Sequence, residues 1–203
     1  AMRNDSSERY IVKIISVPAS STKLEALLLT GAYSSKESAV AYFKDLANGI
    51  LEEKTILDHL AQMEGFVGYE DCQIVPMDDD SGYDVYLLAK YRRSLERQFS
   101  REPMTHLGAV NLGLDLCAAL AVARRAGYLC VDIKPGNIFL TGDKEYRIGD
   151  LGFIKLSSIK YASLPDKYRS VYTAPEVDDA FAAISMGLDI YAVGLILYQA
   201  YNN

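Results

Sequence analysis

The segment from Val131 to Leu140 reads Val-Asp-Ile-Lys-Pro-Gly-Asn-Ile-Phe-Leu, and Asp150-Leu151-Gly152 follows it downstream. Asp132 offers a carboxylate that can take a proton, Lys134 a cation, and Asn137 an amide oxygen for a hard metal ion. Asp150 adds a second oxygen ligand. Placed on one tight loop, a base, a cation and a metal ligand come within reach of a single phosphoryl group. Phosphoryl transfer asks mainly for positioning and charge neutralisation, which is what these residue types supply. Taken alone, an Asp-x-x-x-x-Asn spacing is more often a solvated turn, so the weight rests on what surrounds it.

The surrounding elements come from periodicity and punctuation. Tyr10 to Ile15 is a short β-branched run that reads as a strand carrying Lys13, and Pro18 to Ser21 breaks it. Leu24 to Leu29 is a helical piece with Gly31 as its C-cap. Ser34-x-x-Glu37 reads as a capping box that opens a helix running to about Met63. Its apolar stripe is Val40, Phe43, Leu46/Ala47, Ile50, Leu57 and Leu60. Glu53 falls on that stripe, and a carboxylate on a buried face needs a partner. Lys13 is the natural one.

Gln73 to Met77 and Tyr83 to Ala89 form a hairpin across the acidic turn Asp78 to Gly82. Arg93 to Ser100 reads as a short polar helix. Thr105 to Ala126 reads as a long one, apolar at Leu107, Val110, Leu114, Cys117, Leu120 and Ala121. Ile138 to Leu140 and Tyr146 to Ile148 are short strands joined by Thr141-Gly142-Asp143. The stretch after Gly152 shows no clear periodicity. Asp189 to Tyr201 is a nearly all-apolar helix, expected to be buried on every side.

At 203 residues, half of them apolar, the chain has ample material for a core. A net charge of -6 argues against nucleic acid or an anionic membrane as the main partner. Three scattered cysteines (Cys72, Cys117, Cys130) and two histidines form no zinc pattern, and they fit reduced thiols in a cytoplasmic protein. No signal peptide or membrane-length apolar run is read from the chain.

Taken in order, these motifs resemble a protein kinase, and within that group the bacterial eukaryotic-type Ser/Thr kinases. The resemblance covers Tyr10 to Asn203, beginning at the small lobe's third strand and ending at the central helix, as for a kinase domain truncated at both ends. It implies an α+β, two-lobe fold, with a partial small lobe and hinge over 1–91 and a partial, mostly helical large lobe over 92–203. Lys13, matching the nucleotide lysine, would hold the α- and β-phosphates of ATP while Glu53 braces it. Ala89 would be the gatekeeper, with Lys90 to Arg92 the hinge against adenine.

The same resemblance makes Asp132 the base for the acceptor hydroxyl and Lys134 the cation on the moving phosphate. Asn137 and Asp150 become the Mg2+ ligands. Ala174-Pro175-Glu176 matches the end of the activation segment, and Asp189 would tether the catalytic loop. The chain departs from the family by lacking a glycine-rich loop and by carrying Cys130-Val131 where His-Arg is usual. Leu151 replaces a Phe. Arg169 replaces a Thr that contacts Asp132 and Lys134, a contact Ser170 could substitute. The resemblance implies an ATP-dependent protein Ser/Thr kinase; the alternative is a pseudokinase that binds or scaffolds. A small-molecule kinase of the antibiotic-phosphotransferase kind is disfavoured by Lys134-Pro135 and Ala174-Pro175-Glu176. The apolar helix 189–201 is expected to need a partner or a second copy to cover it.

Overall fold

The computed structural model describes residues 8–161, 164, 166–178 and 184–202. The chain divides into two compact units. One takes Tyr69–Tyr91 with the described residues up to Thr55; the other takes Ile56–Gly68 with the described residues from Arg92 onward.

The first unit contains strand β1 (Tyr10–Val17), helix α1 (Ser21–Leu29), the first part of α2 (Lys36–Ala61), β2 (Asp71–Pro76) and β3 (Tyr83–Lys90). The strands form an antiparallel sheet in the order β1-β3-β2. Its register sets Lys13 opposite Leu87, and Ile74 opposite Val85. The central strand alternates cleanly: Val85, Leu87 and Ala89 are buried, as period-two geometry requires of a half-buried strand. Helix α2 buries Ala39, Phe43, Ala47 and Ile50 along one stripe, so most of the expected face holds, while Leu46 is exposed. The predicted capping box is displaced by one residue. Ser35 and Ser38 exchange the reciprocal bonds, with Ser38 N–H to Ser35 Oγ at 3.2 Å and Ser35 N–H to Ser38 Oγ at 3.3 Å. A short serine hydroxyl at the third helical position closes the box that Glu37 was expected to close.

The second unit continues with β4 (Arg93–Ser94), α3 (Leu95–Phe99), α4 (His106–Arg125), β5 (Tyr128–Cys130), β6 (Ile138–Leu140), β7 (Tyr146–Ile148), β8 (Phe153–Lys155) and α5 (Gly187–Asn202). Two small antiparallel sheets, β4-β6-β7 and β5-β8, lie beside the helices. The polar helix expected over Arg93 to Ser100 is therefore shorter, because Arg93 and Ser94 pair with Leu140 and Phe139. Strand β8 was not foreseen: it forms by pairing with β5, Cys130 opposite Phe153.

Helix α4 packs against α5, β5 and β7. Of the expected stripe Leu120 is buried, but the rest of the buried face lies on other residues. Ala109, Leu112, Leu116, Ala119, Leu120 and Ala123 are buried, whereas Leu107 is 68 % and Leu114 64 % exposed, and Cys117 is exposed. Close approach explains the choice. A Cβ on Gly65, whose φ is +94, would sit 2.7 Å from the Ala119 Cβ, so small residues must face inward here. By length and composition α4 could cross a membrane, yet it is partly buried within this unit. Thr105 caps it, its Oγ accepting the Gly108 N–H at 3.1 Å. Thr105→Ala is expected to lower stability by about 1 kcal/mol in urea unfolding, the usual loss for an N-cap oxygen.

Helix α5 is buried along Leu188, Asp189, Ala192, Val193, Ile196 and Ala200 but exposes Ile190, Tyr191, Tyr198 and Tyr201. Burial on every side is thus not what the fold provides: an α5 this apolar keeps an open face.

Candidate active site

The backbone of the loop between β5 and β6 is held at several points. Val131 N–H donates to the Gly152 carbonyl at 3.0 Å, Asn137 N–H to the Lys134 carbonyl at 2.9 Å, and Gly149 N–H to the Asn137 carbonyl at 2.9 Å. Cys130 N–H donates to Asp189 Oδ2 at 3.1 Å, tying the start of the loop to α5. Pro135 presets the 3-10 turn Pro135–Asn137 that lifts Asn137 back toward Asp132.

The side chains then close on Asp132. Lys134 Nζ donates to both carboxylate oxygens, at 2.9 and 2.8 Å. Asn137 Nδ2 donates to the Asp132 carbonyl at 2.9 Å and to Asp132 Oδ2 at 2.7 Å. Both amide hydrogens of Asn137 are used, and its Oδ1 accepts nothing among the described residues. The Asp132 side chain is 9 % exposed. Burial pushes its carboxyl above the usual range; Lys134 and Asn137 pull the other way, and the charge of Asp150 adds to the rise.

Asp150 sits in the left-handed region at φ 71, with its Oδ1 accepting the Leu151 N–H at 2.9 Å. Gly152 follows at φ +130, where a Cβ would lie 2.8 Å from the Asp132 Cβ. Only glycine lets the Asp150 turn approach Asp132 this closely. Asp132, Lys134 and Asn137 are thus one hydrogen-bonded cluster with Asp150 beside it.

The remaining candidates lie elsewhere. Lys13 is on β1 and Glu53 on α2, both in the first unit, as are Ala89 and Lys90 at the end of β3; Arg92 opens the second unit. The Lys90 ammonium pairs with Glu8 at 3.3 Å, and that contact raises its pKa. Tyr91 N–H donates to the Arg9 carbonyl at 2.8 Å.

Two expectations near the loop change. Among the described residues Ser170 makes no bond to Asp132 or Lys134 in place of the missing threonine; its Oγ accepts the Tyr172 N–H at 3.2 Å. Arg169 turns to carboxylates of its own segment, pairing with Asp166 at 3.3 Å and with Asp178. Three residues beside the site, Glu96, Tyr172 and Gln199, carry no motif in the sequence; Tyr172 O–H donates to Gln199 Oε1 at 2.7 Å across a gap of 27 positions. Only the fold brings that pair together.

A family model described as the protein kinase domain matches residues 32–203. The chain belongs to the protein kinase family. The match begins after β1, so Lys13 lies outside it. The chain is 32% identical over 111 residues to the serine/threonine-protein kinase PknK of Mycobacterium tuberculosis, covering 54% of this chain and 10% of that protein. It is 27% identical over 156 residues to the mitogen-activated protein kinase mpkC of Aspergillus niger, covering 76% of this chain and 37% of that one. To the serine/threonine-protein kinase RUNKEL of Arabidopsis thaliana it is 26% identical over 182 residues, 82% of this chain and 12% of the relative. The mixed α/β architecture, with a small antiparallel sheet in one unit and a largely helical second unit, is the kinase fold.

Within this kinase domain the donor set suits a small hard cation. Among the described residues no cluster of three or more His, Cys, Asp or Glu could cage a metal. Mg2+ takes few protein ligands, typically one or two carboxylates together with substrate phosphates. The Asn137 amide oxygen and the Asp150 carboxylate match that requirement.

Proposed function

We propose that this kinase domain transfers the γ-phosphoryl group of ATP to a serine or threonine hydroxyl of a protein, and that it is of bacterial, cytoplasmic type. The observation that carries the reading is Asp132 held by Lys134 and Asn137 with Asp150 alongside. The acceptor oxygen forms a bond to the γ-phosphorus as the bond to the leaving ADP oxygen breaks, and the hydroxyl proton passes to Asp132. The Lys134 ammonium, tied to both Asp132 oxygens, offsets charge on the moving phosphoryl group. Asn137 and Asp150 would hold Mg2+, which neutralises phosphate charge when bound. Lys13, braced by Glu53, would grip the α- and β-phosphates, and the hinge from Lys90 to Arg92, beyond Ala89, would face the adenine. The match to bacterial PknK supports the bacterial assignment, and the net charge and reduced cysteines support the compartment.

A thermal-shift titration with ATP and Mg2+ tests the nucleotide half of this reading. Ligand at about 100 times its dissociation constant stabilises a binder by about 2.7 kcal/mol. That shift is expected to need Mg2+ and to be lost in Asp150→Asn and Lys13→Met. Its absence at saturating ATP would remove the nucleotide site and leave a binding module on the kinase fold.

A further inference from the structure

Asp150 stands at φ 71, in a region that a non-glycine residue keeps only where its surroundings hold it, and Gly152 follows at φ +130. On one side the Val131 N–H holds the Gly152 carbonyl at 3.0 Å. On another lies an aromatic ring that no motif marks. The point where Gly152 would carry a Cβ is 2.8 Å from the Asp132 Cβ and 3.4 Å from Tyr168 Cε1. Asp132 and the Tyr168 ring therefore flank the same glycine. We propose that Tyr168 is a positioning residue for phosphotransfer: its ring holds the Asp150–Gly152 turn against Asp132 and so fixes the metal ligand relative to the base. The proposal rests on the phosphotransfer reading above, and all of these residues belong to the second unit.

Local structure explains how the ring comes to lie there. Asp166–Tyr168 form one 3-10 turn, closed by the Arg169 N–H on the Asp166 carbonyl at 3.0 Å. Asp166 and Lys167 are exposed while Tyr168 is 7 % exposed, so the turn sends one side chain inward. Arg169 clamps the turn from outside, reaching Asp166 at 3.3 Å and Asp178 as well. Beyond it, Ser170 N–H donates to Thr173 Oγ1 at 2.8 Å and Thr173 N–H to the Ser170 carbonyl at 3.0 Å, which pins the chain that leaves. The arginine standing in place of a threonine is thus the outer brace of a turn whose inner residue is Tyr168.

A ring suits this place. Lys167 Nζ lies 4.5 Å from its centroid, and a cation over one face favours one tilt of the ring. A flat side chain with two torsions keeps an edge against Gly152 at small entropic cost. Removing it would leave a void beside the residue type best able to move into it. The bond from Leu151 N–H to Asp150 Oδ1 is internal to the turn and would move with it. Asp150 would then shift relative to Asp132, and a misplacement of about 1 Å lowers such a reaction by about 10²-fold.

The test uses the full chain with Tyr168→Phe, Tyr168→Leu and Tyr168→Ala. Amide hydrogen exchange, read residue by residue by NMR without nucleotide, reports on the turn directly. The Val131 amide, bonded to Gly152, is expected to exchange about tenfold faster in Tyr168→Ala, while the Asn137 and Ala126 amides keep their rates. Phosphotransfer to a serine peptide is read separately at varied peptide and Mg2+ concentrations. In Tyr168→Ala kcat is expected to fall about 10²-fold and the half-saturating Mg2+ concentration to rise about tenfold, with the peptide KM within about twofold. Tyr168→Phe is expected to restore all of these. Tyr168→Leu fills the space without a flat ring and is expected to lie between; it carries the test if the alanine variant does not fold.

A chain that had merely lost stability would show a smaller active fraction, an unmoved Mg2+ requirement and faster exchange at every amide. That pattern in both Tyr168→Ala and Tyr168→Leu overturns the proposal, as does unchanged exchange at Val131. Selective exchange at Val131 in a chain without phosphotransfer would remove the catalytic reading and keep Tyr168 as the support of the turn. Phosphotransfer that Tyr168→Ala leaves within about threefold would keep the catalytic reading and remove the role of Tyr168.

Discussion

Replacing Asp132 by asparagine is expected to lower kcat for phosphotransfer by about 10²- to 10⁴-fold, the range associated with loss of a positioned general base. The geometry explains why so small a change in shape has so large an effect. The Asp132 carboxylate accepts from Lys134 on both oxygens and from Asn137 on one. An asparagine there presents an NH2 group to at least one of these donors. Donor then faces donor, Lys134 loses a bond, and the proton acceptor is gone. ATP affinity should stay nearly unchanged, since Asp132 is assigned to the hydroxyl and not to the nucleotide. Asp132 also sets an acid limb in the rate profile. Burial holds its carboxyl above the ordinary carboxylate range, so kcat/KM is expected to start falling at a higher pH than a solvent-exposed aspartate would dictate. Steady-state kinetics across pH, with a tight-binding check on ATP, reads both effects. A variant that retained activity to within about threefold would remove Asp132 from the role of base.

The loop around Asp132 was legible in the sequence because its geometry is local. Asp132, Lys134 and Asn137 lie within one turn, and Pro135 fixes the backbone between them, so their spacing nearly dictates the bonds later found. The same holds for the hairpin of β2 and β3, where alternation and an acidic turn specify the register. Elements whose identity is tertiary were not legible. Strand β8 is three residues long and exists because β5 is there to pair with it. The α4 face was misassigned because its sequence is apolar on both sides, with leucines on each: Leu107 and Leu114 face out while Leu112 and Leu116 face in. The fold instead chose the alanines that allow the Gly65 turn to approach. Nor does a pattern mark Tyr172 and Gln199, whose bond joins a loop to a helix. Glu96 is a first-turn acid of α3 that no motif marks, and its nearness to Lys134 and Gly136 appears only once the folded chain lines one cavity with all three.

The second large effect concerns the tether beneath the loop. Asp189 is 3 % exposed; its Oδ2 accepts the Cys130 N–H, and its Oδ1 is buried with no hydrogen-bond partner among the described residues. Burial, only partly offset by that N–H, pushes the carboxyl up to about 7. In the unfolded chain the same group titrates near its ordinary value of 3.8. A carboxyl whose pKa rises on folding stabilises the fold fully at pH below the unfolded value and loses that contribution as pH climbs to the folded one. The window therefore runs from about pH 4 to about pH 7, and the full swing is about 4 kcal/mol, an upper bound for one group.

Asp189→Asn keeps an oxygen for Cys130 and cannot ionise. Urea unfolding at intervals between pH 4 and 8 is expected to show the unaltered chain weakening as pH rises, with the variant losing markedly less. Asp132 contributes a slope of the same sign in both proteins, since its carboxyl is also raised, so the difference between the two curves isolates Asp189. Parallel curves would mean that the orphaned oxygen is solvated after all and that Asp189 stays ionised through neutrality. A difference between the curves that changes across this range would mean that the anchor beneath Asp132 carries a proton at acid pH and gives it up near neutrality.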